Sequence, residues 1–397
     1  MPDEPHTDTS VVPVRRVLPL YAAGFVTAFG AHGIAAGLGG YTASEHASLL
    51  ALGILLAVYD GAEVVLKPVF GSLADRVGPR PVLLGGLVVF ALASGAFVLA
   101  GDPGLVGLVR FGQGAAAAAF SPAAGAMVAR LAPPARHGRA FGRYGAWKGL
   151  GYTLGPLLGG VLITLGGFAL LFATLAGLAV VVAVWAVLVV PPVAPLPRAR
   201  QTVAGLARRL TRPGFLGPTA TLAASTAALA VGVGFLPVRS AAAGLNPLLT
   251  GIAVSVLAAA AALVQPWAGR ARDSGRLADG VGMTTGLVLA AAGFVIAALV
   301  PGPAGIFPAA LIIGAGAGVV TPLGFAALAA ATPPERLGQT MGSAEVGREL
   351  GDAGGPLLVG AIAVATTLSG GLLGLAALLF ATAAAVRSSS AGGNGDA

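Results

Sequence analysis

Residues 142–160 read GRYGAWKGLGYTLGPLLGG, with Gly151, Gly155 and Gly159 spaced by four and Pro156 set among apolar residues. At helical spacing those three glycines share one face, so a neighbouring helix can approach closely. So many glycines and a proline weaken a helix in water. In a bilayer a helix is how an isolated segment satisfies its own backbone, and packed neighbours tolerate the proline. The stretch therefore predicts a membrane helix built for close contact.

The same pattern recurs further along. An offset of 200 residues carries Pro133, Arg136, Gly138 and Gly142 onto Pro333, Arg336, Gly338 and Gly342. It also carries Gly151, Gly155 and Pro156 onto Gly351, Gly355 and Pro356, and upstream Gly114 and Pro122 onto Gly314 and Pro322. An ungapped match of this length marks a tandem duplication.

Composition fixes the solvent. Of 397 residues 56% are hydrophobic and only 10% charged, with mean hydropathy +0.89. Soluble domains carry about 25% charged residues, so this chain is read as integral to a membrane and not as a soluble enzyme. There are no cysteines, which excludes disulfides, thiolate metal sites and cysteine nucleophiles. The four histidines, His6, His32, His46 and His137, are scattered, so no metal site is expected. The formal charge of +8 needs no nucleic acid to explain it, because the arginines fall in alternate loops.

Apolar periodicity and length place spans at 17–40, 48–70, 81–100, 104–130, 140–164 and 167–190, then at 215–237, 247–267, 280–300, 304–330, 340–364 and 367–386. The Pro- and Arg-rich segment 191–214 divides them into an N-terminal bundle, 1–190, and a C-terminal bundle, 215–386. A Ser/Gly-rich tail, 387–397, is expected to be disordered. The expected fold is thus all-α, with twelve spans in two pseudo-symmetric six-helix bundles. Twelve spans put both termini on one side, together with Arg76, Arg80, Arg130, Arg136, Arg139, Arg270, Arg272, Arg276 and Arg336. The positive-inside rule makes that side cytoplasmic, in a plasma (inner) membrane.

Residues 71–80 read GSLADRVGPR and follow the second span. Gly71 and Gly78 allow a tight turn, Asp75 is suited to cap a nearby helix, and Arg76 and Arg80 to meet acids or lipid headgroups. A partial copy, GRARDSGR with Asp273, follows the eighth span. Here the chain resembles the major facilitator superfamily, whose loop after helices two and eight carries G-x-L-A-D-R-x-G-x-R. The resemblance extends over almost the whole chain, and it implies alternating access by two bundles. Gly142, Gly151, Gly155, Pro156, Gly159 and Gly160 also match the fifth-helix pattern of that family's proton-coupled exporters, G-x8-G-x3-G-P-x2-G-G. That match implies drug:proton antiport. The plainer reading is that these glycines only pack helix five against a helix of the other half. Arg110, with Gly114 in register, resembles the family's R-x-x-x-G element, which implies a part in proton coupling. Its alternative is a residue snorkelling to the interface.

Two ionisable stripes stand out from the residues alone. Asp60, Glu63 and Lys67 share a face of the second span. There Glu63 and Lys67 are placed to pair, leaving Asp60 to take a proton. Glu345, Arg348, Glu349 and Asp352 form a stripe on the eleventh, and the repeat sets Lys148 opposite Arg348. Facing lipid these charges are too costly, so they face the interior. They are read either as a proton site, with Glu349 and Asp352 deepest, or as a charge lock between the halves. His32 faces the cavity or bonds a neighbour. No G-x4-G-K-[ST] loop is present, so the energy source is an ion gradient and no cofactor is expected. The partners expected are a small-molecule substrate, protons and membrane lipid, with the chain a monomer. Proton-coupled import and lipid flipping remain as alternatives to export.

Overall fold

The computed structural model describes residues 13–44, 49–97, 103–193 and 211–392, and among them forms helices joined by short turns. In the first half these are α1 (Val14–Ser44), α2 (Leu49–Val77), α3 (Pro79–Phe97) and α4 (Pro103–Leu131). The helical segment His137–Val189 follows. At about 1.5 Å per residue a straight helix of that length would far exceed a hydrocarbon core about 30 Å thick. It breaks at Gly166 and Gly167, the latter at φ 67°, into α5 (137–165) and α6 (168–189). The second half comprises α7 (Pro213–Ala242), α8 (Pro247–Asp273), α9 (Asp279–Leu299), α10 (Pro303–Ala330), α11 (Leu337–Ala365) and α12 (Leu368–Gly392).

Two expectations are corrected here. Gly71–Val77 is not loop but the last turns of α2, and the turn itself is Gly78, at φ 97°. The charged residues end the apolar run, yet they leave the helix unbroken. At the other end of the chain α12 runs on to Gly392, past the expected limit at 386. Most of the linker (194–210), residues 1–12 and the last five residues lie outside the described residues.

Eight segments among the described residues have the length and mean hydropathy of a membrane span, with α5 and α6 counted together. α2 and α11 carry the ionisable stripes, and α4 carries Arg110.

The duplication is visible in the packing. Gly114 of α4 lies against the carbonyl of Tyr59 on α2, and Gly314 of α10 against that of Leu257 on α8. Gly151 abuts Phe25 and Phe29 of α1, as Gly351 and Gly355 abut Ala223 and Ala227 of α7. The glycines of α5 serve two interfaces. Gly151, Gly155 and Gly159 face α1 of the same half, where a Cβ on Gly155 would lie 3.0 Å from the Phe29 carbonyl. Gly142 faces the other half, against Gln265 and Pro266 of α8. The expectation that the whole set meets the other half therefore holds for Gly142 and fails for the three evenly spaced glycines.

The halves close on each other at the arginine-rich end, hereafter the basic end. There α2 meets α11 at Gly71 and Gly338, and α5 meets α8 at Gly138 and Gly269. Phe141 stacks on Phe325 of α10 at 5.7 Å between ring centroids. Neither α5 nor α11 has a side-chain cap at its own N-terminus. The cap comes from across the interface in both cases. Asp75 accepts from Gly338 N at 2.7 Å and Gln339 N at 2.8 Å. Asp273 accepts from Gly138 N at 2.9 Å and Arg139 N at 2.8 Å. A carboxylate at a helix N-terminus satisfies free N–H groups and meets the positive end of the dipole.

Two outcomes follow for purified protein, read as thermal midpoints in detergent. Gly151→Val drives a side chain into the backbone of α1 and lowers stability by about 1–3 kcal/mol. Gly160→Ala leaves it within about 0.5 kcal/mol, because a Cβ there meets nothing within 4 Å. Asp75→Ala and Asp273→Ala each cost about 0.5–2 kcal/mol, the loss expected of an N-cap.

Candidate functional site

The two ionisable stripes meet in one cluster where α2 faces α11. Lys67 is its centre, 1% exposed. Its Nζ lies 3.1 Å from Glu63 Oε2 on its own helix, 2.6 Å from Glu349 Oε1 and 3.7 Å from Glu345 Oε2 on α11. Glu345 is shared further. Arg348 Nη1 stands 3.1 Å from its Oε2, and Lys148 Nζ of α5 stands 3.9 Å from its Oε1. Three carboxylates thus meet three cations, so the inner cluster is neutral. A buried ion costs several kcal/mol when unpaired, and attraction offsets that cost only when the remaining donors also find partners. Arg348 meets that condition, donating from Nε to Thr226 Oγ1 of α7 at 3.2 Å with its guanidinium 5.7 Å from the Phe325 ring. Lys148 lies 5.8 Å from the Tyr152 ring.

Asp60 and Asp352 continue the same faces away from the basic end. Both are exposed, and neither forms an ion pair among the described residues. Along α2 the side chains go from buried Lys67 and Glu63 to open Asp60, and along α11 from buried Glu345 to open Asp352. The space between the halves therefore widens with distance from the basic end. His32 of α1 also opens to it, with its ring 4.3 Å from that of Tyr152. Glu349 and Asp352 were expected together as the deepest acids, and the geometry separates them: Glu349 is held by Lys67 while Asp352 is free of ion pairs.

Arg110 stands apart from the cluster. It is 2% exposed, so it does not snorkel. Its guanidinium lies over the Tyr59 ring at 4.3 Å and donates to Gln113 Oε1 at 3.3 Å, and Gln113 in turn donates to Ser94 Oγ at 3.0 Å. Tyr59 is the residue before Asp60, so this buried chain supports the turn of α2 that carries the open acid. Thr226, Phe325, Tyr59, Tyr152, Gln113 and Ser94 were not singled out from sequence. Only Gln113, a lone amide one turn from Arg110, gave a signal there.

At the basic end, Asp75 and Asp273 are the cross-half caps, and Gly71 is the contact point with Gly338. Arg76 is exposed. Arg80 turns to its own half, with Nη2 donating to the Val187 carbonyl of α6 at 2.7 Å. Pro156 and Gly160 lie on the exposed side of α5.

In solved structures the fold is similar to the human organic anion transporter MFSD10 (TETRAN), with TM-score 0.77 and 19% identity over 94% of this chain and 99% of that one. It is similar also to the fucose:proton symporter FucP of E. coli, with TM-score 0.76 and 13% identity over the same shares. At such identities the likeness is one of fold. In sequence, the puromycin resistance protein pur8 of Streptomyces alboniger is 44% identical over 93 residues, 23% of this chain and 18% of that protein. The quinolone resistance protein NorA of Staphylococcus aureus is 28% identical over 109 residues, 28% of each chain. The multidrug resistance protein MdtG of Citrobacter koseri is 30% identical over 125 residues, 32% of this chain and 31% of that one. These matches span less than a third of the relatives' lengths. The family model described as Major Facilitator Superfamily matches residues 20–356. With that match the chain belongs to the Major Facilitator Superfamily, whose members are integral membrane transporters and not enzymes.

Proposed function

We propose that this transporter exports a small organic molecule in exchange for protons, by alternating access of two bundles, 1–190 and 215–386, with the basic end and both termini cytoplasmic. The observation that carries the reading is Lys67, a buried cation of one half held by two carboxylates of the other. Such a tie is sensitive to protonation. A carboxylate that takes a proton no longer holds Lys67, and the charges must then re-pair within one half. Asp60 and Asp352 are the entry points in this scheme. They are open to the widening side, and protonating either one breaks no ion pair. In the closed-basic-end form described here, protons arrive from the side opposite the arginines as substrate departs to it. The relatives named for resistance to puromycin, quinolones and multiple drugs support export and suggest the class of substrate. The glycine pattern of α5, shared with the family's exporters, supports it too. A monomer is sufficient for this scheme, since both bundles lie in one chain.

The test uses proteoliposomes with an imposed pH gradient and puromycin or a quinolone as substrate. Asp60→Asn, Glu349→Gln and Asp352→Asn are compared with the parent chain. Loss of substrate-driven proton movement in at least one variant is expected; full retention in all three overturns the site assignment. Accumulation in right-side-out vesicles, driven by an inward proton gradient, would make the protein an importer.

The lock itself has a separate readout. Lys67→Met leaves Glu63 and Glu349 without their cation, while Glu345 keeps Arg348 and Lys148, and costs about 3–5 kcal/mol, as a lower thermal midpoint. Adding Glu349→Gln to that variant returns part of the loss, because the two residues are in contact.

A further inference from the structure

We propose that a groove on the outer surface, where α1 begins and α6 ends, is a docking site for an anionic phospholipid. The groove is about 500 Å³ in volume and is lined by Arg15, Arg16, Leu18, Trp185, Leu188 and Val189. It lies at the basic end, because α1 starts and α6 finishes there. The two arginines are exposed and form no ion pair among the described residues, and the lining holds no acid. The first turn of α1 has no acid either. Two neighbouring guanidiniums with no acid paired to them among the described residues match a phosphodiester, which Arg binds through paired N–H donors.

The rest of the groove fits a lipid and not a soluble anion. Below the arginines its wall is apolar, and it continues into the outer face of α6, where Val181, Val184, Val187 and Leu188 are exposed, the last by 78%. Such a strip suits acyl chains. Trp185 is half-buried in the lining near the end of α6, and an indole suits a boundary with hydrocarbon on one side and headgroups on the other. Arg80, outside the lining, donates to the Val187 carbonyl and so pins the end of α6 that forms one wall. Positive charge at the headgroup plane, an apolar wall beneath it and an indole at the boundary are the chemistry of an acidic glycerophospholipid held in one place.

The experiment uses the full chain in detergent, titrated with phosphatidylglycerol or with phosphatidylcholine of the same acyl chains, and separately with inorganic phosphate. Thermal midpoint and native mass spectrometry are the readouts. Phosphatidylglycerol is expected to bind and stabilise more than phosphatidylcholine. The double variant Arg15→Gln/Arg16→Gln should weaken it by about 30-fold, from the contribution of two arginines near a lipid surface, and leave phosphatidylcholine unchanged. Arg15→Lys/Arg16→Lys should keep a part of the preference. Should the glutamine pair not fold, Arg15→Gln alone and Trp185→Ala give the same reading, each with a smaller loss. Equal effects of the two lipids, or a preference untouched by the glutamine pair, overturn the proposal. So does inorganic phosphate matching phosphatidylglycerol, which would leave a free-anion site.

Discussion

Hydrocarbon offers a charged side chain no partner, so each charge in a membrane helix has to be met by another charge, by a dipole or by water. In this protein that constraint decides which helices lie at the centre. α2 and α11 carry seven ionisable residues on the faces read from sequence, and none can be spared to lipid. Turned toward each other, five of them form a neutral cluster around Lys67 once Lys148 is brought in from α5, while Asp60 and Asp352 face the open space beside it. The same pairing that makes the cluster tolerable joins the halves, because Lys67 belongs to one and Glu345 and Glu349 to the other.

Close approach of backbones is the condition under which these short pairs form. Gly71 and Gly338 let α2 and α11 touch, and Gly342 stacks over the backbone of Lys67 itself, so the lysine starts at the contact point. On α5 the glycines are divided between a permanent neighbour and a partner in the other half. The evenly spaced set holds α1, and Gly142 and Gly138 meet α8. A helix serving both needs one face that stays packed and another that can part, and a glycine face parts without unlocking interdigitated side chains. The glycine-rich pattern of α5 can therefore serve packing and movement at once, on different sides of the helix.

Much of this was legible in the sequence, and the reasons are specific. The duplication was readable because glycines and prolines recur at a fixed offset, and the stripes because charges at helical spacing are rare in apolar runs. The cap by Asp75 was readable in kind, since an Asp beside a helix end is a good acceptor, but its partner helix was not. What could not be read is anything that depends on the neighbour across an interface. Spacing shows that Gly151, Gly155 and Gly159 share a face without showing that α1 occupies it. Nor does it show that Arg110 ends beneath Tyr59, or that Thr226 of α7 receives Arg348. The end of α2 was misplaced because hydropathy marks the limit of the apolar run, whereas the helix ends where Gly78 takes a left-handed conformation.

The caps and the ion cluster differ in what releases them, and the difference bears on how the basic end could open. Asp75 and Asp273 hold backbone N–H groups of helices in the other half, so separation leaves helix ends that water at the surface can satisfy. Their loss is modest and needs no proton. Lys67 lies deeper, where water is scarce, and separation there leaves three carboxylates and a lysine to redistribute. In the proposed scheme charge changes hands before that layer parts, whereas the caps nearer the surface need only be wetted. A gate ordered in this way is held by its inner layer. The open acids Asp60 and Asp352 lie on the far side of that layer from the caps, next to the charges whose rearrangement would set it free.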